Sequence, residues 1–215
     1  SAIAAVGLTG QPSMLVRAVF IAMNIAVSAI VAHRKGQNDA NGARRVLSQA
    51  LTLAISLGLL LSGLAVIFAD PILNFAGSQA DTHAQAVTYF RMVMSAFIFS
   101  NVTLTINAAQ RGAGNTKITM TTNITANLVN VILNYLLIGG KFGFPKLGIA
   151  GAALATMSGT FVGCCMSIAS ILKRDGFLYM PGSFKLKFER DTMKTILNIG
   201  SSSLVEQAFL RVGFM

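Results

Sequence analysis

Long apolar segments separated by short polar or charged ones dominate the pattern of this chain. Crossing about 30 Å of hydrocarbon takes about 20 helical residues, and five segments have that length. They run from about Pro12 to Ala32, Val46 to Phe68, Ala86 to Ala109, Ile118 to Ile138 and Leu147 to Leu172. A sixth begins near Met193 and continues to Met215. The pattern therefore predicts an all-α fold, a polytopic transmembrane helical bundle.

The loops between these segments differ in their content of Lys and Arg. The loops after the first, third and fifth segments hold Arg34, Lys35, Arg44, Arg45, Arg111, Lys117, Lys173, Arg174, Lys185, Lys187, Arg190 and Lys194. The opposite loops hold only Lys141 and Lys146. Because basic loops stay on the cytoplasmic side, the first set is predicted to be cytoplasmic and residues 1–11 to lie outside.

Composition agrees with a membrane protein and excludes two other classes. Of the 215 residues, 53% are hydrophobic and only 11% are charged, whereas a soluble domain carries roughly a quarter charged residues. The net charge of +10 would suggest nucleic acid only if the basic side chains clustered on a folded polar face. Here they sit between apolar segments, as topology determinants do.

Polar side chains inside the predicted spans are the most informative feature. In the fourth span Asn123, Asn127, Asn130 and Asn134 are spaced by four, three and four residues, which places them on one helical face. One or two of them could serve interhelical hydrogen bonds, but four on one stripe favour the wall of a hydrated cavity. Polar positions in other spans extend the predicted cavity lining, which holds substrate or water and comprises Asn24, Asn101, Thr105, Asn123 and Asn127.

Glu206 is the only acidic residue within a predicted span. A charge there costs about 2.5 to 3.5 kcal/mol, so the carboxyl group must be protonated, paired or bound to a cation. Arg211 lies five residues further on and is not on quite the same helical face, which leaves a structural ion pair open. We favour a role in cation binding or coupling over that pair.

No motif in the chain supports catalysis or a bound cofactor. A nucleophile, a base and an orienting group do not occur together in a recognisable pattern. Neither His33 nor His83 has a His or Cys partner at ligand spacing, so no metal site is predicted. A stripe of small residues in the fifth span, from Gly148 to Gly163, predicts close packing against another helix.

Five stretches together resemble the multidrug and toxic compound extrusion (MATE) family of transporters. They are AAVGL at 4–8, QRGAGNT at 110–116, NVILNY at 130–135, GFPKLGIAGAALAT at 143–156, and the segment from Ile199-Gly200 to Glu206-Gln207. They occur in the family's order along essentially the whole chain. The resemblance implies an inner-membrane antiporter built from two six-helix lobes, which exports small organic cations against entering Na⁺ or H⁺.

The resemblance also implies how the chain is divided. Residues 1–10 would be the tail of transmembrane helix 1, residues 11–172 the N-lobe helices 2–6, and residues 173–192 a basic cytoplasmic linker. Residues 193–215 would begin helix 7, and the C-terminal lobe of the same protein would be the missing partner. Membrane lipid would surround the bundle.

Three site residues follow from the resemblance alone. Asn130 and Asn134 match fifth-helix positions that line the N-lobe cation pocket, and Glu206 matches a seventh-helix acid resembling a cation ligand. Many proton-coupled members have Asp where this chain has Asn134, which favours the NorM-type branch. Na⁺ prefers hard oxygen ligands, whereas a carboxylate can exchange H⁺ as its pKa shifts, so both ions stay open.

There are three alternatives to drug export. A flippase for lipid-linked oligosaccharides has a related helix organisation, but it should expose a large basic cavity. The cations predicted within the membrane are few: Arg17, Arg91 and Arg211. A membrane-embedded enzyme would need catalytic groups at one depth, and only Glu206 qualifies. A non-transporting scaffold is the remaining alternative.

Overall fold

A computed structural model describes residues 20–75, 80–140, 147–174, 176–180, 192–196 and 198–202, and within them every regular element is a helix. In chain order these are α1 (20–36), α2 (Ala40–Ile67), α3 (Ala69–Phe75), α4 (Ala80–Ser95), α5 (Phe97–Gly112), α6 (Thr116–Gly139) and α7 (Gly148–Leu172). Residues 192–196 and 198–202 are also helical. The predicted all-α bundle is confirmed.

Three of these helices, α2, α6 and α7, are long and apolar enough to cross a membrane. The bent pair formed by α4 and α5 makes a fourth span if it crosses as one. The second, fourth and fifth predicted spans correspond to α2, α6 and α7. The third predicted span, Ala86 to Ala109, is divided between α4 and α5, which meet at an angle of 41°.

The bend between α4 and α5 has a specific cause. The Ser62 hydroxyl of α2 donates a hydrogen bond to the backbone carbonyl of Met94, inside the last turn of α4. Beyond this point Phe99 N donates to Ala96 O at 3.1 Å, a tighter turn than that of an α-helix. A side chain that enters the backbone ladder is a recognised origin of kinks. The sequence carries no Pro or Gly at this point, so the bend was not predicted.

Ser62→Ala is expected to destabilise the full-length protein by about 1–3 kcal/mol, because the buried Met94 carbonyl loses its donor. The unfolding temperature of the purified protein would measure this. Ser56→Ala is the matched control, since Ser56 is exposed on the same helix and its hydroxyl donates only to Leu53 O of its own turn. Equal effects of the two substitutions would contradict a stabilising role for the Ser62 bond.

The interior of the bundle contains two apolar clusters. The larger one joins α1, α2 and α5 around Phe20, Leu47 and Ile106 and extends to Ile171 at the end of α7. The smaller one joins α3 and α4 and includes Ala69, Leu73, Ala86, Val87, Phe90 and Met94. The larger cluster packs α1, α2 and α5 together, and the smaller one packs α3 against α4.

Helices α6 and α7 pack closely through glycine. A Cβ added at Gly151 or Gly159 would lie 2.8 Å from the backbone oxygen of Leu137 or Ala126, respectively. Gly159 and Gly163 of the predicted small-residue stripe lie at this interface, and Gly151, which was not part of the predicted stripe, lies there as well. Gly148 does not contribute, because it begins α7 with φ +54° and a Cβ there would meet nothing within 4 Å.

The opposite face of α6 is open. It carries a stripe of exposed apolar side chains made of Met120, Ile124, Leu128, Val131, Tyr135 and Ile138. A surface of this kind in a membrane protein faces lipid or further protein. The predicted Asn stripe runs along the border between this face and the interface with α7.

The predicted linker spans residues 173–192, and its first part packs on the bundle. Met180 N donates to Ile171 O at 2.9 Å, and Arg44 Nε donates to Phe177 O at 3.4 Å. Lys35 Nζ lies 4.8 Å from the centre of the Phe177 ring. Residues 176–180 therefore lie against the end of α1 and the start of α2, while residues 181–191 lie outside the described part of the chain.

Candidate functional site

A chain of hydrogen bonds joins α6 to α7 at two of the predicted cation-site residues. Asn134 Nδ2 donates to Asn130 Oδ1 at 2.9 Å, and Asn130 Nδ2 donates to Thr156 Oγ1 at 3.3 Å. Thr156 Oγ1 in turn donates to Ala152 O at 2.9 Å. All three side chains are half-buried. The structure therefore brings Asn130 and Asn134 together and adds Thr156 to them.

The packing of α7 on α6 positions this cluster. Gly159 lies one turn beyond Thr156, and a Cβ there would stand 3.1 Å from Asn130 Cβ. Only a residue without a side chain lets α7 come this close to α6. Thr156 was not among the predicted site residues, because a hydroxyl on α7 can be assigned to this cluster only when the packing of α7 against α6 is known.

The cluster offers amide and hydroxyl oxygens and no ionisable group among its three members. Such oxygens are hard ligands, which suit a small cation such as Na⁺. The cluster cannot release a proton by itself, so proton exchange would need a carboxyl group from elsewhere. Glu206, which was predicted to bind or couple the cation, lies outside the described residues, as do Arg17 and Arg211.

Three predicted cavity residues lie instead in the interior between α1, α2 and α5. Asn24, Asn101 and Thr105 are 5%, 1% and 0% exposed. The amide nitrogen and oxygen of both Asn residues and the Thr105 hydroxyl have no hydrogen-bond partner within the described part of the chain. All three side chains therefore lie inside the described part of the bundle, and their contact with substrate or water remains a prediction.

The remaining predicted cavity residues, Asn123 and Asn127, are exposed on α6. They occupy the same stripe as Asn130 and Asn134, on the two helical turns that precede the hydrogen-bonded cluster. Their contact with a cavity remains a prediction.

A second buried polar network, which the sequence did not reveal, connects α5 with α7. Ser167 Oγ donates to Asn107 Oδ1 at 3.3 Å, and Gln110 Nε2 donates to Ser170 Oγ at 3.1 Å. Thr119 Oγ1 of α6 also donates to Asn107 O at 3.3 Å. These bonds pair polar groups with one another across the bundle and fit a structural role.

Arg91, predicted as one of the few cations within the membrane, is paired. Its Nη2 lies 2.7 Å from Asp70 Oδ2, and His83 Nε2 lies 3.5 Å from the other oxygen of that carboxylate. Both Arg91 and Asp70 are about half exposed. The pair joins α3 to α4 at the surface, where exposed ion pairs contribute little to stability.

Comparison with known proteins gives a consistent result. Residues 1–136 match the family model described as MatE. "Probable multidrug resistance protein NorM" of Thermotoga maritima is 29% identical over 215 residues, which is 100% of this chain and 46% of that protein. "Multidrug resistance protein PmpM" of Pseudomonas aeruginosa is 31% identical over 134 residues, 62% of this chain and 28% of that protein.

Solved structures share the fold. The crystal structure described as "MATE in the bent conformation" has a TM-score of 0.88 at 24% identity and covers 99% of this chain and 47% of its own. An "inward-facing conformation of a multidrug resistance MATE family transporter" has a TM-score of 0.85 at 24% identity, covering 96% and 46%. The chain thus spans about half the length of the proteins it resembles.

Proposed function

The chain belongs to the MatE family of multi-pass membrane transporters, and from this membership we propose that the full-length protein is a secondary active antiporter. It exports amphipathic, cationic organic compounds in exchange for Na⁺ or H⁺. The observation that carries the proposal is the cluster of Asn130, Asn134 and Thr156, which places neutral oxygen ligands between two predicted spans.

Coupling requires that the cation and the substrate favour opposite states of the protein. In transporters built from two repeats, the site lies near the repeat interface and one repeat rocks against the other. The chain supplies one such repeat, and a second repeat would complete the pathway. Its basic loops would face the cytoplasm and residues 1–11 the outside, as the distribution of Lys and Arg predicts.

Gradient-driven efflux tests the proposal directly. The full-length protein would be reconstituted into vesicles that contain a fluorescent cationic dye, and a Na⁺ gradient and a H⁺ gradient would be applied separately. We expect dye movement under one of the two gradients. Vesicles that move no cationic dye under either gradient would overturn the proposed function.

Glu206→Gln is expected to abolish coupling in the same assay, because glutamine keeps the shape of the side chain but can neither bind a cation by charge nor carry a proton. Asp39→Asn is the control, since Asp39 caps the start of α2 through Gly42 N at 2.8 Å and lies far along the chain from the cluster. Unchanged efflux in Glu206→Gln would assign that residue a structural role, such as pairing with Arg211.

A further inference from the structure

The unpaired polar atoms of Asn24, Asn101 and Thr105 form a feature that the proposed cation site does not use. Each side chain is at least nine-tenths buried, and together they leave five polar atoms without a partner in the described part of the chain. A buried polar atom that stays unpaired destabilises the folded protein, because it has lost its hydrogen bonds to water and gained none in return. Five of them in one small region would be a large penalty unless something else satisfies them.

Two contacts between α1 and α5 fix how these helices lie beside each other. The rings of Phe20 and Phe97 meet edge to face with centres 5.4 Å apart. Further along both helices, a Cβ at Gly112 would lie 3.1 Å from Val31 Cβ. The contacts progress in the same direction along each helix, so α1 and α5 run the same way.

Because α1 and α5 are parallel, Asn24 of α1 and the polar residues of α5 lie on the sides of the two helices that face each other. Asn24 lies one turn after Phe20, and Asn101 and Thr105 lie one and two turns after Phe97. Residues four apart share a helical face. The polar groups of α1 and α5 therefore lie between the two contacts that hold these helices together.

Helix α2 closes the region from a third side. A Cβ at Gly58 would lie 3.4 Å from Asn101 Nδ2, and one turn later Ser62 donates its hydrogen bond to Met94 O. The polar region thus lies next to the break between α4 and α5. Phe20, Val27 and Phe97 of the larger core cluster lie within one helical turn of Asn24 or Asn101 along α1 and α5.

We propose that Asn24, Asn101 and Thr105 enclose a small cluster of bound water molecules, separate from the site at Asn130 and from any substrate. The unpaired atoms include amide donors as well as amide and hydroxyl oxygens. Water satisfies donors and acceptors alike, whereas a cation is repelled by the amide hydrogens. If the nitrogen and oxygen of either side-chain amide were exchanged, both atoms would still be unpaired, so the same donors and acceptors would face the water.

Hydroxyl-radical labelling by a short X-ray pulse tests this in the full-length protein, because radicals formed from bound water oxidise the side chains beside it. Phe97 and Phe90 form a matched pair, since each ring is 3% exposed. Phe97 lies one turn from Asn101, whereas Phe90 lies in the smaller, apolar cluster. We expect several-fold more oxidation at Phe97. Equal labelling of the two rings would overturn the proposal.

Thr105→Val gives an independent readout, because valine keeps the shape of threonine and removes only the hydroxyl. In a dry pocket the loss of an unpaired hydroxyl raises the melting temperature; in a hydrated one it removes a bond to water and lowers it by about 3 °C. Thr52→Val is the control, because Thr52 is also buried and its hydroxyl donates to Ser48 O of its own helix. A melting temperature that rises or stays unchanged in Thr105→Val would also overturn the proposal.

Discussion

Asn130→Leu is expected to reduce gradient-driven dye efflux by the full-length protein about tenfold or more. Asn130 accepts a hydrogen bond from Asn134 and donates one to Thr156, so leucine removes the central member of the cluster. Leucine also removes the amide oxygen as a possible ligand of the cation, and each 1.4 kcal/mol of lost cation affinity is a factor of ten. Initial efflux rates at several cation concentrations would measure the loss.

The dependence of the efflux rate on cation concentration distinguishes a loss of cation binding from a loss of folded protein. If Asn130 binds the cation, raising the cation concentration should restore part of the efflux rate in the variant. Thr121→Leu is the control, because Thr121 is exposed on the same helix and its hydroxyl donates to Lys117 O of that helix. Efflux that falls equally in both variants would show that the cluster has no special role.

Gly159→Ala is expected to lower the stability of the protein by about 1–3 kcal/mol and to weaken transport with it. The added methyl group would meet the backbone oxygen of Ala126 at 2.8 Å, and a backbone atom cannot turn aside. Overpacking of this kind moves whole elements apart. Since Asn130 lies 3.1 Å from the same methyl position, α6 would shift and the bond from Asn130 to Thr156 would lengthen.

Thermal unfolding and efflux measured on the same preparation would test this expectation. Gly63→Ala serves as the control, because a Cβ at Gly63 of α2 meets nothing within 4 Å and alanine favours a helix by up to about 1 kcal/mol. Gly151→Ala is a second comparison, because its methyl group would also lie 2.8 Å from a backbone oxygen, that of Leu137. This position is away from Asn130. A Gly159→Ala protein as stable as wild type would contradict the close packing of α6 on α7.

Part of the site was accessible from the sequence and part was not. The spacing of Asn130 and Asn134 predicted a shared face, and the structure joins these two side chains by a hydrogen bond. The same reasoning grouped Asn24, Asn101 and Thr105 with Asn123 and Asn127 as one cavity lining. The structure separates them, since the first three are buried and the last two are exposed. Helical spacing identifies a face but does not identify what that face meets.

The sequence by itself determined the all-helical class, the positions of α2, α6 and α7, and the family, because hydrocarbon thickness fixes the length of an apolar span and motifs are local. Only the tertiary structure decided the bend at Ala96, the membership of Thr156 in the cluster and the burial of Asn101. Each of these depends on a residue from another helix, namely Ser62, Asn130 and Gly58. Contacts between distant parts of the chain depend on how the helices pack, and the sequence of one helix does not identify which residues of another helix it will contact.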